Sequence, residues 1–372
     1  MARPVGDPSL STGSVVSDKY QILDLIGDGG MGRVYRARQL GLGRDVALKT
    51  LRHDLADAET RRFYRERFEV EAALAASLAH PNSVRVFDFG LEDERFYLVM
   101  ELLHGQPLDV VMQDGPSGPR FTLKVASQLC GALAEAHRLG IVHRDIKPAN
   151  VMLCPTPEAP TFVKLMDFGL ATIARATGRT NNPHASIDPS SAGSFVEGTA
   201  HYAAPEQIRD QPLDGRADLY GLGALMLALL TGEHPFEGAT DRDVLRMQLE
   251  TDPPVLQRAR SGDHPNIPAP VARLIQDCMA RDRSRRVPNA TELHRRLEAC
   301  LAALAADEPP VSPSLPAVGE LAASRTLVPG GPPTEPDVPP EGPPSRDTIP
   351  IAMLGFIVLV MVLAFGIGVW LD

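Results

Sequence analysis

The chain is poor in cysteine, with four residues in 372 (Cys130, Cys154, Cys278 and Cys300) and no C-x-x-C pair among them. That spacing excludes a zinc ribbon and a disulfide scaffold, and it fits buried thiols in a reducing compartment. Basic charge is also in deficit. Lys and Arg number 37 against 47 Asp and Glu, a net charge of −10, which argues against nucleic acid as the main partner. Residues 1–17 hold Pro, Ser and Gly without an apolar run, so they are no secretory signal. No internal repeat is found, which excludes a solenoid or propeller.

What is present is a composition 44% hydrophobic and 23% charged, enough for a sizeable folded core. The 34 prolines are unevenly spread, and from Asp307 to Asp347 Pro and Gly recur without one aromatic residue. Such a segment buries too little apolar surface to offset the entropy of ordering. A disordered linker is expected over 305–348, with a flexible reach of about 35–40 Å. Ile349–Leu371 then carries no ionisable residue, and as a helix it measures about 35 Å, enough to cross a bilayer. Trp370 stands where an interfacial aromatic belongs. A buried core helix is the alternative for this span. The expectation is a single-pass tail anchor in the cytoplasmic membrane, with the folded part in the cytoplasm, in keeping with Arg346 just before the span.

Ahead of the linker, "KYQILDLIG", "RVYRARQ" and "VALKTL" read as strands around two turns, and Thr60–Leu78 reads as a helix. "SVRVFDFGL" and "RFYLVMEL" are two further strands, after which the pattern turns helical at Phe121–Gly140, Asp218–Gly232 and two C-terminal stretches. Asn289 or Thr291 caps the last of these.

The first turn holds "IGDGGMG" (Ile26, Gly27, Asp28, Gly29, Gly30, Met31, Gly32), a G-x-G-x-x-G spacing. In a dinucleotide-binding fold this spacing joins a strand to a helix. Here a strand follows Gly32, so the dinucleotide reading fails and a glycine flap over phosphates remains. Downstream come "VALK" with Lys49, "HRDIKPAN" with Arg144, Asp145, Lys147 and Asn150, "MDFG" with Asp167, Phe168 and Gly169, and "AAPE" with Glu206. Each motif alone is a run of ordinary surface residues, but the ordered set is the one that phosphoryl transfer requires.

On these motifs the chain resembles the eukaryotic-like (Hanks-type) bacterial serine/threonine protein kinases, over roughly Tyr20 to Leu304. The resemblance implies an α+β bilobal fold over residues 18–304. A small lobe of antiparallel sheet and one helix would span about 18–103, and a larger, mainly helical lobe 104–304. It implies ATP as cosubstrate with Mg²⁺, Mn²⁺ being an alternative. Asp145 would be the base and Lys147 would neutralise the transferring group. Asp167 and Asn150 would hold the metal, and Lys49 the phosphates, steadied by Glu71 in preference to Glu66 or Glu69. Met100 would be the gatekeeper, with backbone groups of Glu101 and Leu103 on the base and Val34, Ala47 and Leu153 against the ring. Thr199 would tie Asp145 to Lys147, Asp218 would anchor the catalytic loop, and Glu206 would pair with Arg286 or the competing Arg285.

Arg144 beside the base implies an activation segment set by phosphorylation. The stretch Ala171–Gly198 offers Ser191 and Ser194, with Thr177, Thr180, Ser186 and Ser190 as further candidates; a plain surface loop is the other reading. Implied partners are protein substrates, the lipid bilayer and a transient homodimer for phosphorylation in trans. The proline-rich segment is a spacer or, through Pro313 and Pro316, a docking site. A membrane-tethered pseudokinase acting by binding alone, and a small-molecule phosphotransferase, are the rival functions.

Overall fold

The computed structural model describes residues 10–29, 32–51, 58–92, 95–168, 200–253 and 267–306. Gly30, Met31, Gly169, Thr199, the candidate phosphosites of 171–198, the proline-rich segment from 307 and the apolar span 349–371 lie outside the described residues. Among the described residues, no helix is long and apolar enough to cross a membrane.

Strands β1 (Val15–Val16), β2 (Tyr20–Gly29), β3 (Gly32–Gln39) and β4 (Arg44–Leu51) precede helix α1 (Ala58–Ala76), and β5 (Val86–Glu92) and β6 (Arg95–Glu101) follow it. They form one antiparallel sheet in the order β1-β2-β3-β4-β6-β5. Period-two alternation gives β4 two different faces. Val46 and Leu48 pack with Tyr20, Tyr35 and Tyr97 on one side of the sheet. Ala47 and Leu51 face the other way, into the cluster of Phe68, Phe96, Leu98 and Met100. Lys49 shares the parity of Ala47 and Leu51, so the pleat turns it to the inner side, where it is buried.

Helix α1 packs on that inner face through Phe68, Ala72 and Ala75, and the Phe68 ring lies 4.6 Å from Phe96 and 6.1 Å from Phe89. Glu66 and Glu69 stay exposed while Glu71 is half-buried. Beyond α1, His80 is half-buried, and its Nδ1 accepts a hydrogen bond from Asn82 N at 3.1 Å. Burial pushes the His80 pKa down, although Glu135 partly offsets it. A depressed histidine contributes stability that is complete above its unfolded value and is lost as pH falls through the folded one. The melting temperature is therefore expected to drop on acidification below about pH 6.5, and less steeply in a His80→Gln variant. Parallel pH profiles for the two proteins would refute this.

The lower lobe begins with β7 (Gln106–Pro107) and α2 (Pro119–Arg138), followed by β8 (Val151–Leu153) and β9 (Val163–Leu165). The three strands form a small antiparallel sheet. Helices α3 (Arg216–Thr231), α4 (Asp241–Glu250), α5 (Ala269–Cys278) and α6 (Ala290–Ala306) complete the lobe. Helix α2 starts at Pro119, two residues before the expected Phe121, because proline suits the first helical turn. In α3 every residue from Ala217 to Thr231 is buried, as expected of a helix apolar on all sides. Gly232, at φ 73°, ends it in the left-handed conformation that glycine adopts without strain. Helix α6 is capped by Asn289, whose Oδ1 accepts from Glu292 N at 2.9 Å. The described architecture is thus α+β and bilobal, a sheet-and-helix lobe above a helical one, and both lobes belong to one compact unit.

Candidate active site

The floor of the cleft between the lobes is the loop from Ile141 to Asn150, and the buried helix α3 fixes it. Asp218, in the first turn of α3, has a fully buried side chain that accepts from His143 N (2.9 Å), Arg144 N (2.8 Å) and His137 Nε2 (2.7 Å). Arg144 sits at φ 70°, an uncommon conformation for a non-glycine residue, held from both sides because Gln207 Nε2 donates to its carbonyl at 2.8 Å. His143 is completely buried. Its Nε2 donates to Met166 O at 2.7 Å and its Nδ1 accepts from Asp145 N at 3.3 Å, which assigns the neutral Nε2–H tautomer. The same ring meets Phe168 edge-on at 4.8 Å. His143 stands inside the motif HRDIKPAN, whereas nothing in the sequence near His137 signals its role.

Asp145 has two differently treated oxygens. Oδ2 accepts from Asn150 Nδ2 at 2.9 Å and faces Lys147 Nζ at 3.1 Å. Oδ1 is buried and accepts no hydrogen bond from the described residues. Asn150 Nδ2 also donates to Asp145 O at 2.7 Å, so both amide hydrogens are engaged and Oδ1 of Asn150 is the atom that could ligate a cation.

Asp167, at φ 61°, follows β9 and faces the cleft roof. Its Oδ2 lies 2.7 Å from Lys49 Nζ, and both side chains are largely buried. The expected partner of Lys49 was Glu71; among the described ion pairs it is Asp167. An ammonium buried on the inner face of β4 needs an anion in direct contact, and Asp167 supplies it, while half-buried Glu71 has contacts of its own. Burial alone would raise the Asp167 pKa, but the Lys49 charge and hydrogen bond, helped by Lys147, hold it below the ordinary carboxylate value. Asp167 and the Asn150 carbonyl are hard oxygen donors that suit Mg²⁺, an ion that takes few protein ligands and completes its shell with phosphate and water.

Above the cleft, Ile26 is exposed at the turn and Asp28 pairs with Arg33 at 3.2 Å. Gly32 has a steric reason to be glycine, because at φ 145° an added Cβ would lie 1.9 Å from Thr50 O. Gly29 has nothing within 4 Å of such a Cβ, and at Gly27 the nearest atom is Val34 Cβ at 3.7 Å. Gly32→Ala is therefore expected to destabilise the fold, by about 1–3 kcal/mol, whereas Gly29→Ala should leave the melting temperature unchanged. An unaltered melting temperature for Gly32→Ala would overturn the assignment.

At the inner end of the cleft Met100 is buried, Ala47 is buried beside it in the register Ala47↔Met100, and Val34, Leu103 and Leu153 are partly exposed. Glu101 N donates to Arg85 O at 2.9 Å, so any contact from this residue to a base must come from its carbonyl. Outside the cleft, Arg286 clasps Glu206 through Nη1 to Oε1 (2.6 Å) and Nη2 to Oε2 (2.8 Å), with both residues buried. Arg285 does not compete for Glu206: it ends the short turn 283–285 on the exposed side.

Comparison with known proteins agrees with this geometry, since the protein kinase domain family matches residues 20–296. The chain belongs to the protein kinase family. It is 37% identical over 289 residues to the serine/threonine-protein kinase pkn3 of Myxococcus xanthus, covering 77% of this chain and 51% of that one. It is 36% identical over 282 residues to PrkC of Bacillus subtilis, covering 76% and 40%. With PknB of Mycobacterium tuberculosis the identity is 37% over 335 residues, covering 88% and 50%. The chain thus spans about half the length of the curated relatives it matches. In structure it is similar to the crystallised kinase domain of Mycobacterium tuberculosis PknI, with a TM-score of 0.58 at 25% identity, over 78% of this chain and 99% of that one. Kinases of this family use ATP and a divalent cation, for which the cleft carries the donors described above.

Proposed function

We propose that the chain is a serine/threonine protein kinase that transfers the γ-phosphate of Mg-ATP to protein hydroxyls. The observation that carries the reading is the Asp145 carboxylate, with one oxygen held by Asn150 and Lys147 and the other buried without a hydrogen bond from the described residues. That oxygen's unused acceptor capacity is what a substrate hydroxyl needs, and it takes the proton as the new P–O bond forms. Lys147 neutralises charge on the transferring group, and Lys49 holds the phosphates. Asp167 and Asn150 would hold Mg²⁺, which supplies charge neutralisation between the phosphates when bound. To admit it, Lys49 and Asp167 must exchange their direct contact for contacts with the nucleotide and metal.

Two features support serine and threonine as acceptors: Lys147 placed two residues after the base, and the names of the relatives. Incubation of the full chain with γ-labelled ATP, Mg²⁺ and a general protein substrate, followed by phosphoamino-acid analysis, is the test. Label on Ser or Thr is expected. Label on neither the substrate nor the chain itself would sink the proposal and favour the binding-only pseudokinase, against which the joint presence of Lys49, Asp145, Asn150 and Asp167 speaks. Phosphopeptides between Asp167 and Glu206 would locate autophosphorylation. For the membrane, the support is the uncharged span 349–371 beyond a proline-rich segment. Carbonate washing should leave the full chain in the bilayer fraction, and its release would overturn the anchor.

A further inference from the structure

The residue that joins the two lobes behind the nucleotide cleft belongs to none of the motifs. Lys164 is the middle residue of β9, three positions before Asp167. Its Nζ lies 2.5 Å from Glu101 Oε1, at the end of β6 where the chain crosses between the lobes, and it also donates to Ser83 O at 3.4 Å. The side chains are 16% and 25% exposed, so water screens this pair far less than a surface ion pair.

Between the two partners runs the segment 82–85, bonded to both. Leu165 N donates to Asn82 O at 2.8 Å, Val84 N to Leu165 O at 2.9 Å, and Asn82 Nδ2 to Val163 O at 2.7 Å. On its other side, Glu101 N donates to Arg85 O at 2.9 Å, and Arg85 N donates to Glu101 Oε1 at 2.8 Å. The Glu101 carboxylate therefore receives Lys164 and the Arg85 amide on one oxygen, and β9, the crossing segment and the inter-lobe strand form one hydrogen-bonded layer.

We propose that Lys164 is a positioning residue for the nucleotide: through Glu101 it clasps the strand that carries Asp167 to the connection that carries the Glu101 and Leu103 backbone. The inference rests on the kinase reading above. The clasp touches neither phosphate nor substrate hydroxyl. It sets the distance between the adenine end of the cleft and the metal end, so it acts on nucleotide affinity rather than on the transfer step.

The test is a double-mutant cycle on the full chain with Lys164→Met, Glu101→Gln and the pair together, plus Lys164→Arg as the charge-conserving variant. Each single change is expected to raise both KM and the directly titrated Kd for Mg-ATP by about 3- to 10-fold, and in Lys164→Met kcat should stay within about twofold of the parent. The double variant should be no worse than either single, and Lys164→Arg should bind close to the parent. Unchanged KM and Kd in both singles, or effects that simply add, overturn the clasp. Glu101→Gln keeps shape and Lys164→Arg keeps charge, so the answer stands even where Lys164→Met lowers the yield of folded protein. Amide exchange at Val84, Glu101 and Leu165 gives a readout that needs no nucleotide. It should speed up in Lys164→Met and recover in Lys164→Arg, and equal rates throughout refute the clasp. A parent chain that binds no Mg-ATP sinks the kinase reading instead, and the exchange arm still decides the clasp.

Discussion

Asp145→Asn is expected to lower phosphate transfer by about 10²- to 10⁴-fold, the usual contribution of a positioned base, while Mg-ATP affinity stays near that of the parent. The substitution conserves shape, and Asn150 Nδ2 can still donate to Oδ1 or to the carbonyl of residue 145. What disappears is the carboxylate that accepts the hydroxyl proton and balances Lys147 at 3.1 Å. Single-turnover transfer from labelled ATP measures the rate, and a nucleotide titration separates chemistry from binding. Equal transfer by both proteins would remove Asp145 from the mechanism.

The second large effect is on stability and lies away from the cleft. Glu206→Ala should cost about 3–5 kcal/mol, because it leaves the Arg286 guanidinium buried without its counter-ion. Arg286 also donates through Nε to Ala280 O at 2.7 Å and through Nη1 to Arg216 O at 3.0 Å, and its guanidinium lies 5.0 Å from the Tyr220 ring centre. The planar fork serves all of these at once, so Arg286→Lys is expected to lose most of the same stability. A Glu206→Gln/Arg286→Met double variant removes both charges and should recover part of the loss. Denaturant titration provides the measurement; a Glu206→Ala loss below about 1 kcal/mol, as at a surface pair, would show that the pair carries no structural weight.

Local patterns in the sequence told much about the small lobe and less about the contacts that bind distant segments. The pleat of β4 could be read residue by residue, since Val46 and Leu48 are apolar on one face and Ala47 and Leu51 on the other. The inward direction of Lys49 followed from it. The counter-ion of Lys49 did not, because Asp167 is 118 residues away and the choice between it and Glu71 depends on how the lobes close. The apolar run of α3 was legible as a buried helix, but a buried helix can present any of its faces. That Asp218 would meet two backbone amides and His137 is a consequence of packing. Lys164 carries no signal in sequence, and Glu101 stands out there only for its backbone: the pairing of their side chains emerges when segment 82–85 brings the two strands together.

The attachment of the catalytic loop to Asp218 has a consequence for how activity is lost on heating. Asp218 belongs to the helix with the most buried side chains in the lower lobe, and His143 and Arg144 hang from its carboxylate by their backbone amides. A loop fastened to the most protected element has no low-energy route to melt alone, so its opening free energy approaches that of the whole domain. Thermal inactivation should then follow the rate of global unfolding, with no earlier phase in which the fold persists and the active centre is gone.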